Sequence, residues 1–164
     1  MIIVWFKKDL RIQDHEPLFQ ALNQSSHILP LYIFEPDLWQ QPDLSLRHFS
    51  FLKDCLNSLN ADLVECGQPL IFKVGDAVEV LSDLINKHGV TQIFSHQETG
   101  NMWTFNRDIK VRNWLKTKHV VWKEFQTNGV MKYYTLQFQE FALLSSLLTT
   151  LVLVSPFQNQ TIPY

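Results

Sequence analysis

Five charged side chains, Lys7, Lys8, Asp9, Arg11 and Asp14, follow directly on the apolar run Ile2–Phe6. Ionised groups clustered in this way can hold a polar ligand through charge-assisted hydrogen bonds, which are roughly twice as strong as neutral ones. Lys8 and Asp9 are the candidates within this loop. A second polar stretch, His96 to Asn101, closes another apolar run and contributes His96 and Glu98. Arg47 begins a helical pattern, where a cation opposes the helix dipole unless it serves a partner such as an acidic group or a ligand carbonyl. Phe34 and Phe51 offer aromatic faces, readable either as core or as a stacking platform. Plainer roles stand beside these: Asp9 and Arg11 can pair with each other or cap the first helix, and His96 and Glu98 can make a local turn contact.

Other chemistries lack their residues. The glycines are Gly67, Gly75, Gly89, Gly100 and Gly129, so neither G-x-G-x-x-G nor a P-loop can be drawn. The histidines and the two cysteines show no paired metal-ligand spacing, and no metal is expected. No G-x-S-x-G elbow exists and spacing alone specifies no acid/base pair, so no catalytic residue is assigned. The residues describe a binding domain without a visible catalytic engine.

The elements that position them alternate strand and helix. Residues 2–6 read as a buried strand, and Asp14 is placed to cap a helix running to about Gln24, with Pro17 tolerated in its first turn. Ile28–Phe34 is the next strand. Over residues 45–65, Phe49, Leu52, Leu56, Leu59 and Leu63 recur at helical spacing and form one apolar stripe, which Gly67 terminates. Leu70–Val74 is a strand, followed by a capping-box start at Asp76 and Glu79 with Val78, Leu81, Leu84 and Ile85 as the buried face. Gly89 ends that helix before a strand at Val90–Ser95. A helix over 101–118 and a strand over Val120–Phe125 complete the pattern.

Short apolar strands joined by amphipathic helices predict an α/β fold, a doubly wound, Rossmann-like three-layer sandwich. Its five-stranded parallel sheet has the order 3-2-1-4-5. In such a sheet the binding crevice lies beyond the carboxyl ends of strands 1 and 4, where the order reverses. The loops that meet there are Lys7–Asp14 and His96–Asn101.

With 164 residues, 46% hydrophobic and 18% charged, the chain can bury a real core. A net charge of −2 and a pI near 6.3 give no whole-domain footprint for nucleic acid. Cys55 and Cys66 fall in one helical stretch, roughly 16 Å apart by helix rise, too far for a disulfide. They are expected as free thiols of a cytoplasmic protein, and the N-terminus lacks the layout of a signal peptide.

"VWFKKDLRIQDHEPL" at 4–18 resembles the opening signature of the DNA photolyase/cryptochrome family, V-W-F-R-x-D-L-R-x-x-D-x-x-A-L, with Lys7 where arginine is usual and Pro17 where alanine is common. Matches follow in order at "LYIFEP" (31–36), "SLRHFSFLKDCLNSL" (45–59), "GQPLIFKVGDAVEVL" (67–81), "SHQETGNMWTFNRD" (95–108) and "FQTNGV" (125–130). The resemblance covers residues 1–132 and implies the N-terminal α/β domain of a two-domain flavoprotein. That domain can hold a light-harvesting antenna, whether a folate, a deazaflavin, FMN or a lumazine. A larger helical domain carries FAD, meets DNA and, in photolyases, splits pyrimidine dimers in light. It is expected to be absent here, so FAD and catalysis are not expected of this chain alone. The resemblance also implies that the loop with Lys8 and Asp9 lines the antenna crevice. Arginines like Arg47 contact the chromophore in deazaflavin- and flavin-antenna members, and carboxylates at the place of Glu98, beside His96, hydrogen-bond its ring or ribityl chain.

Trp5, Trp103, Trp114 and Trp122 are expected as packing residues. Arg107, Lys110, Arg112, Lys116 and Lys118 read as a solvated helix face, with a DNA-facing patch as the minority alternative. Residues 133–164 contain no Lys, Arg, Asp or His, and Glu140 is their one acid. Their apolar part is broken by Ser145, Ser146, Thr149 and Thr150, is marginal against the ~20 residues a membrane helix needs, and has no positive flank. This divergent tail is expected to come from a frameshifted or otherwise truncated photolyase gene, with a short helix packed on an exposed face as the alternative. The competing function is a stand-alone nucleotide- or flavin-binding module of the electron-transfer-flavoprotein or universal-stress type.

Overall fold

The computed structural model describes residues 1–127. The boundary expected near 132 and the tail at 133–164 lie outside the described residues. The elements are β1 (Ile2–Phe6), α1 (Glu16–Gln24), β2 (Ile28–Phe34), a single 3-10 turn (Leu38–Gln40), α2 (Leu46–Glu65), β3 (Ile71–Val74), α3 (Ala77–His88), β4 (Gln92–His96), α4 (Met102–Lys118) and β5 (Val121–Phe125). The strands form one sheet in the order β3-β2-β1-β4-β5, as the alternating pattern predicts. All four pairings are parallel, with Ile2 opposite Ile28 and Gln92 in neighbouring strands.

Alternation along β1 divides the core into two layers, because successive side chains in a strand point to opposite faces. Ile3 and Trp5 pack with Leu81 and Leu84 of α3 and Val111 and Leu115 of α4. Ile2, Val4 and Phe6 pack on the other face with Ala21 of α1 and Leu56, Leu59 and Leu63 of α2. Each such side chain stabilises the fold by about 1.5–3 kcal/mol when fully buried. Covered on both faces, β1 has no place for a charge until it ends at Phe6.

Two helix starts depart from expectation. Asp14 does not cap α1. It adopts φ +47°, whereas an N-cap needs extended backbone, and His15 takes the role by accepting the Leu18 N–H on Nδ1 at 3.1 Å. At α3 the Asp76 carboxylate accepts from Val78 and Glu79 N–H at 2.8 and 3.4 Å, the forward half of the expected capping box. Gly89 closes α3 with φ +60°, a conformation that favours glycine. Asp76→Ala is expected to lower stability by about 1 kcal/mol in urea denaturation. Its exposed partner Lys110, 2.8 Å away, adds little. An unchanged midpoint would mean water satisfies both amides equally well.

Phe49, placed by its spacing in the buried stripe of α2, sits at the exposed edge of that stripe. It stands edge-on to Phe34 and Trp39 at 5.6 and 5.4 Å, while Phe34 and Trp39 stack at 5.7 Å. This trio ties the β2–α2 connection to the head of α2. Asn101 anchors the same connection from the other side: its side chain donates to Asp43 at 2.9 Å and caps α4 by accepting from Thr104 N–H at 3.1 Å.

Candidate functional site

A cavity of about 580 Å³ opens at the carboxyl ends of β1, β2 and β4. Its volume falls in the range of small-molecule sites. Phe6, Tyr32 and Leu52 form apolar wall, Trp39 and Phe51 supply aromatic surface, and Lys8, Arg11, Glu35, Glu98 and Arg107 bring charge. The cavity reaches further toward β2 and α2 than the β1/β4 switch point alone predicts. The reason is the β2–α2 connection, whose Leu38, Trp39, Asp43 and Leu44 build one wall.

Arg107 organises the charged wall. Its guanidinium donates to Glu35 at 2.7 Å, to Glu98 at 2.5 Å and to Asp108 at 2.9 Å, and lies over the rings of Trp5 and Trp103 at 5.1 and 5.9 Å. This corrects its reading as part of a solvated face, for Arg107 is buried. Burial alone would lower its pKa, but the carboxylates of Glu98, Asp108 and Glu35 outweigh that and keep it charged. Burial raises Glu35 above the usual carboxylate range, with Arg107 opposing the rise. Lys7 is buried too, 3.4 Å from Asp108 and 3.8 Å from Glu124. Its Nζ lies over Trp5 and Trp122 at 5.0 and 5.1 Å, and desolvation pulls its pKa down despite Asp108. Lys110 remains exposed, as a solvated face requires, while Arg112 is half-buried and pairs with Glu124.

Asp9 is the centre of a second buried group. One carboxylate oxygen accepts from His15 Nε2 at 2.7 Å and His96 Nδ1 at 2.5 Å, and the other accepts from Lys7 N–H at 3.1 Å. Burial would raise the Asp9 pKa, but these hydrogen bonds reverse the shift and hold it well below the usual carboxylate range. The trio offers three ligand atoms within 4.8 Å of one another. Because His15 Nδ1 accepts the Leu18 amide, its proton sits on Nε2 and points at Asp9. Through these bonds Asp9 holds the two imidazoles together beneath the loop.

Residues 2–143 match the family model for DNA photolyase. The chain belongs to the DNA photolyase family. It is 37% identical over 97 residues to the deoxyribodipyrimidine photo-lyase of Salmonella typhimurium, covering 56% of this chain and 20% of that protein. Against the chloroplastic/mitochondrial cryptochrome DASH of Arabidopsis thaliana it is 33% identical over 103 residues, covering 59% and 18%. An archaeal photolyase crystal structure from Sulfolobus tokodaii, described as having two FAD molecules, matches with a TM-score of 0.69 at 28% identity, covering 76% of this chain and 29% of that one. The chain thus spans about a fifth of the length of these curated relatives. These matches identify it as photolyase-family N-terminal α/β domain and disfavour the electron-transfer-flavoprotein or universal-stress alternative.

Within this photolyase-family domain, the residues singled out from sequence are distributed unevenly. Lys8, Phe51 and Glu98 line the main cavity. Asp9 and His96 line a smaller adjoining recess of about 140 Å³, which Lys8 and Glu98 also border. Lys8 bridges to Glu98 at 3.5 Å, and a Cβ on Gly100 would press on both, at 3.1 Å from Glu98 and 3.2 Å from Lys8. Phe34 stacks on Trp39 beside an apolar groove and does not line the main cavity, and Arg47 is exposed outside it. Sequence reasoning missed Arg107, Glu35, Trp39 and Tyr32. For Arg107 a signal existed: Thr104, Arg107 and Asp108 lie on the same helical face as the buried Val111 and Leu115. Among the described residues, no helix is long and apolar enough to cross a membrane.

Proposed function

We propose that this domain binds a planar antenna chromophore, of the folate, deazaflavin, FMN or lumazine kind, in the cavity between β1, β2, α2 and α4. The observation that carries the reading is the cavity itself, whose lining joins aromatic surface to charged side chains. Trp39 and Phe51 stand where a ring system can stack, while Lys8, Arg11 and Glu98 can meet its polar edge. Asp9 and His96 support the Lys8 loop from beneath. The Sulfolobus photolyase, whose description implicates a novel light-harvesting cofactor, is a precedent at the level of the family. The chromophore would supply light absorption, and the chain's residues would hold, orient and shield it. For the whole protein we assign the wider family activity, light-driven and FAD-dependent repair of pyrimidine dimers in DNA. That activity would rest on a helical FAD domain as the partner of this one.

The test is titration of the 164-residue chain with FMN, a deazaflavin and folate, followed by fluorescence quenching. Phe51, 71% exposed, can be replaced by Ala without disturbing the core. Phe51→Ala is expected to weaken the bound chromophore about tenfold through lost stacking and area, equivalent to about 1.4 kcal/mol. Lys110→Ala, on the far face of α4, should leave binding unchanged. Failure of all three chromophores to bind, or binding indifferent to Phe51→Ala and sensitive to Lys110→Ala, overturns the assignment.

A further inference from the structure

We propose that the Tyr32 hydroxyl is the hydrogen-bond donor with which this cavity reads its occupant, and that the occupant turns a lactam edge, a carbonyl beside a ring N–H, toward β2. The inference rests on the antenna reading and specifies the ligand chemistry of that site.

Tyr32 is only 7% exposed, yet it makes no hydrogen bond to any described residue. A buried phenol usually finds a partner, because leaving its O–H unmade costs more than the bond returns in water. The fully buried, unpartnered polar side-chain atoms among the described residues are Trp39 Nε1, Gln97 Oε1 and Glu124 Oε1. The Tyr32 oxygen is not one of them, so open space reaches it.

Two spaces touch Tyr32. One is the main cavity, and the other is a groove between α2 and β3 whose lining includes Phe34, Phe49, Leu56, Phe72 and Val74. The charges that act on the phenol belong to the cavity wall. Beyond desolvation, Glu98 and Glu35 are what push its ionisation upward. The groove's lining exposes almost no polar surface, so the accessible hydroxyl oxygen opens on the main cavity, where burial and these carboxylates keep it protonated.

Glu35 and Glu98 do not accept from it; they pair with Arg107 and Lys8 and keep lone pairs for a further donor. The cavity thus sets an available donor on β2 near a wall of carboxylate acceptors. A lactam edge satisfies both: its carbonyl accepts from Tyr32 while its N–H faces the carboxylates. Flavins, pterins and lumazines carry that edge.

Tyr32→Phe removes the oxygen alone and keeps the ring in the core. Because the hydroxyl has no partner among the described residues, the variant is expected to melt at the same temperature as the parent or slightly higher. FMN affinity should fall about fivefold, the usual worth of one neutral hydrogen bond. The flavin carbonyl stretch in the infrared difference spectrum should move to higher frequency as the bond to it is lost. Weaker binding with an unmoved melting temperature and a shifted carbonyl band supports the proposal. Unchanged FMN affinity in Tyr32→Phe, while Phe51→Ala still weakens it, overturns the role of Tyr32 alone. Weaker binding with a lower melting temperature and no carbonyl shift also overturns it, leaving a packing role. If the parent chain binds no FMN, deazaflavin or folate, the antenna reading falls and this inference falls with it.

Discussion

Arg107→Met is expected to cost the domain about 3–5 kcal/mol, the usual penalty for leaving buried charges without their partner. The guanidinium is shared by Glu35, Glu98 and Asp108, so its loss sets three buried carboxylates against one another. Methionine preserves much of the side-chain length and can still pack on Trp5 and Trp103, so the measured loss reports charge rather than volume. The deficit should depend on pH. Glu35 is already raised by burial, and removing Arg107 raises it further. A carboxyl whose folded pKa lies above its unfolded value binds more protons in the native state, so stability falls as pH rises through that range. The variant should accordingly stand closer to the parent at pH 5 than at pH 8. Urea denaturation followed by tryptophan fluorescence at both pH values measures this. A loss below about 1 kcal/mol at pH 8 would show that water reaches the wall and screens it. Arg107→Lys, which restores the charge without the fork, should recover part of the difference.

Asp9→Asn is expected to lower stability at pH 7 by about 2–4 kcal/mol, the scale of lost charge-assisted bonds and buried donors left unmet. Asp9 accepts from His15, His96 and the Lys7 amide, while asparagine has a single oxygen and would turn an N–H₂ toward at least one of these donors. The acid side of the stability curve provides a second readout. The folded pKa of Asp9 lies below its unfolded value of about 3.9. Its contribution is therefore complete above about pH 5 and is lost as pH falls through 4 toward the folded value. The parent should lose stability steeply over that window, and Asp9→Asn should lose it less steeply. Thermal melts from pH 7 to pH 3 compare the two slopes. Parallel curves would show that the histidines do not depend on the Asp9 charge.

The sheet and its connections were legible because their signals are local. Apolar runs of strand length and the stripe of α2 are properties of neighbouring residues, and parallel strands joined through helices leave few topologies open. The run of motifs from 4–18 to 125–130 pointed to the family for the same reason, since short segments in a fixed order are visible without coordinates. From the order of the strands followed the end of the sheet where the cavity opens, with Lys8 and Glu98 on its wall.

What the tertiary structure alone decided is which charges are buried and what they meet. Arg107 and Lys110 are three residues apart on one helix and of one charge type. One faces Glu35, 72 positions away in the chain, and the other pairs at the surface with Asp76. Nothing in their spacing separates them, because the carboxylates of Glu35 and Glu98 that draw Arg107 inward arrive from the loops after β2 and after β4. Likewise, the helix cap passed from Asp14 to His15 because Asp9 holds the His15 ring in place from six residues earlier. Tyr32 reads in the sequence as one more strand residue. That its hydroxyl meets open space rather than a partner among the described residues depends on where the β2–α2 connection travels, and that path is set by Trp39 stacking on Phe34 and by Asn101 holding Asp43. Periodicity reports the face on which a side chain lies, whereas the pairing of buried polar groups depends on distances across the fold that no local spacing encodes.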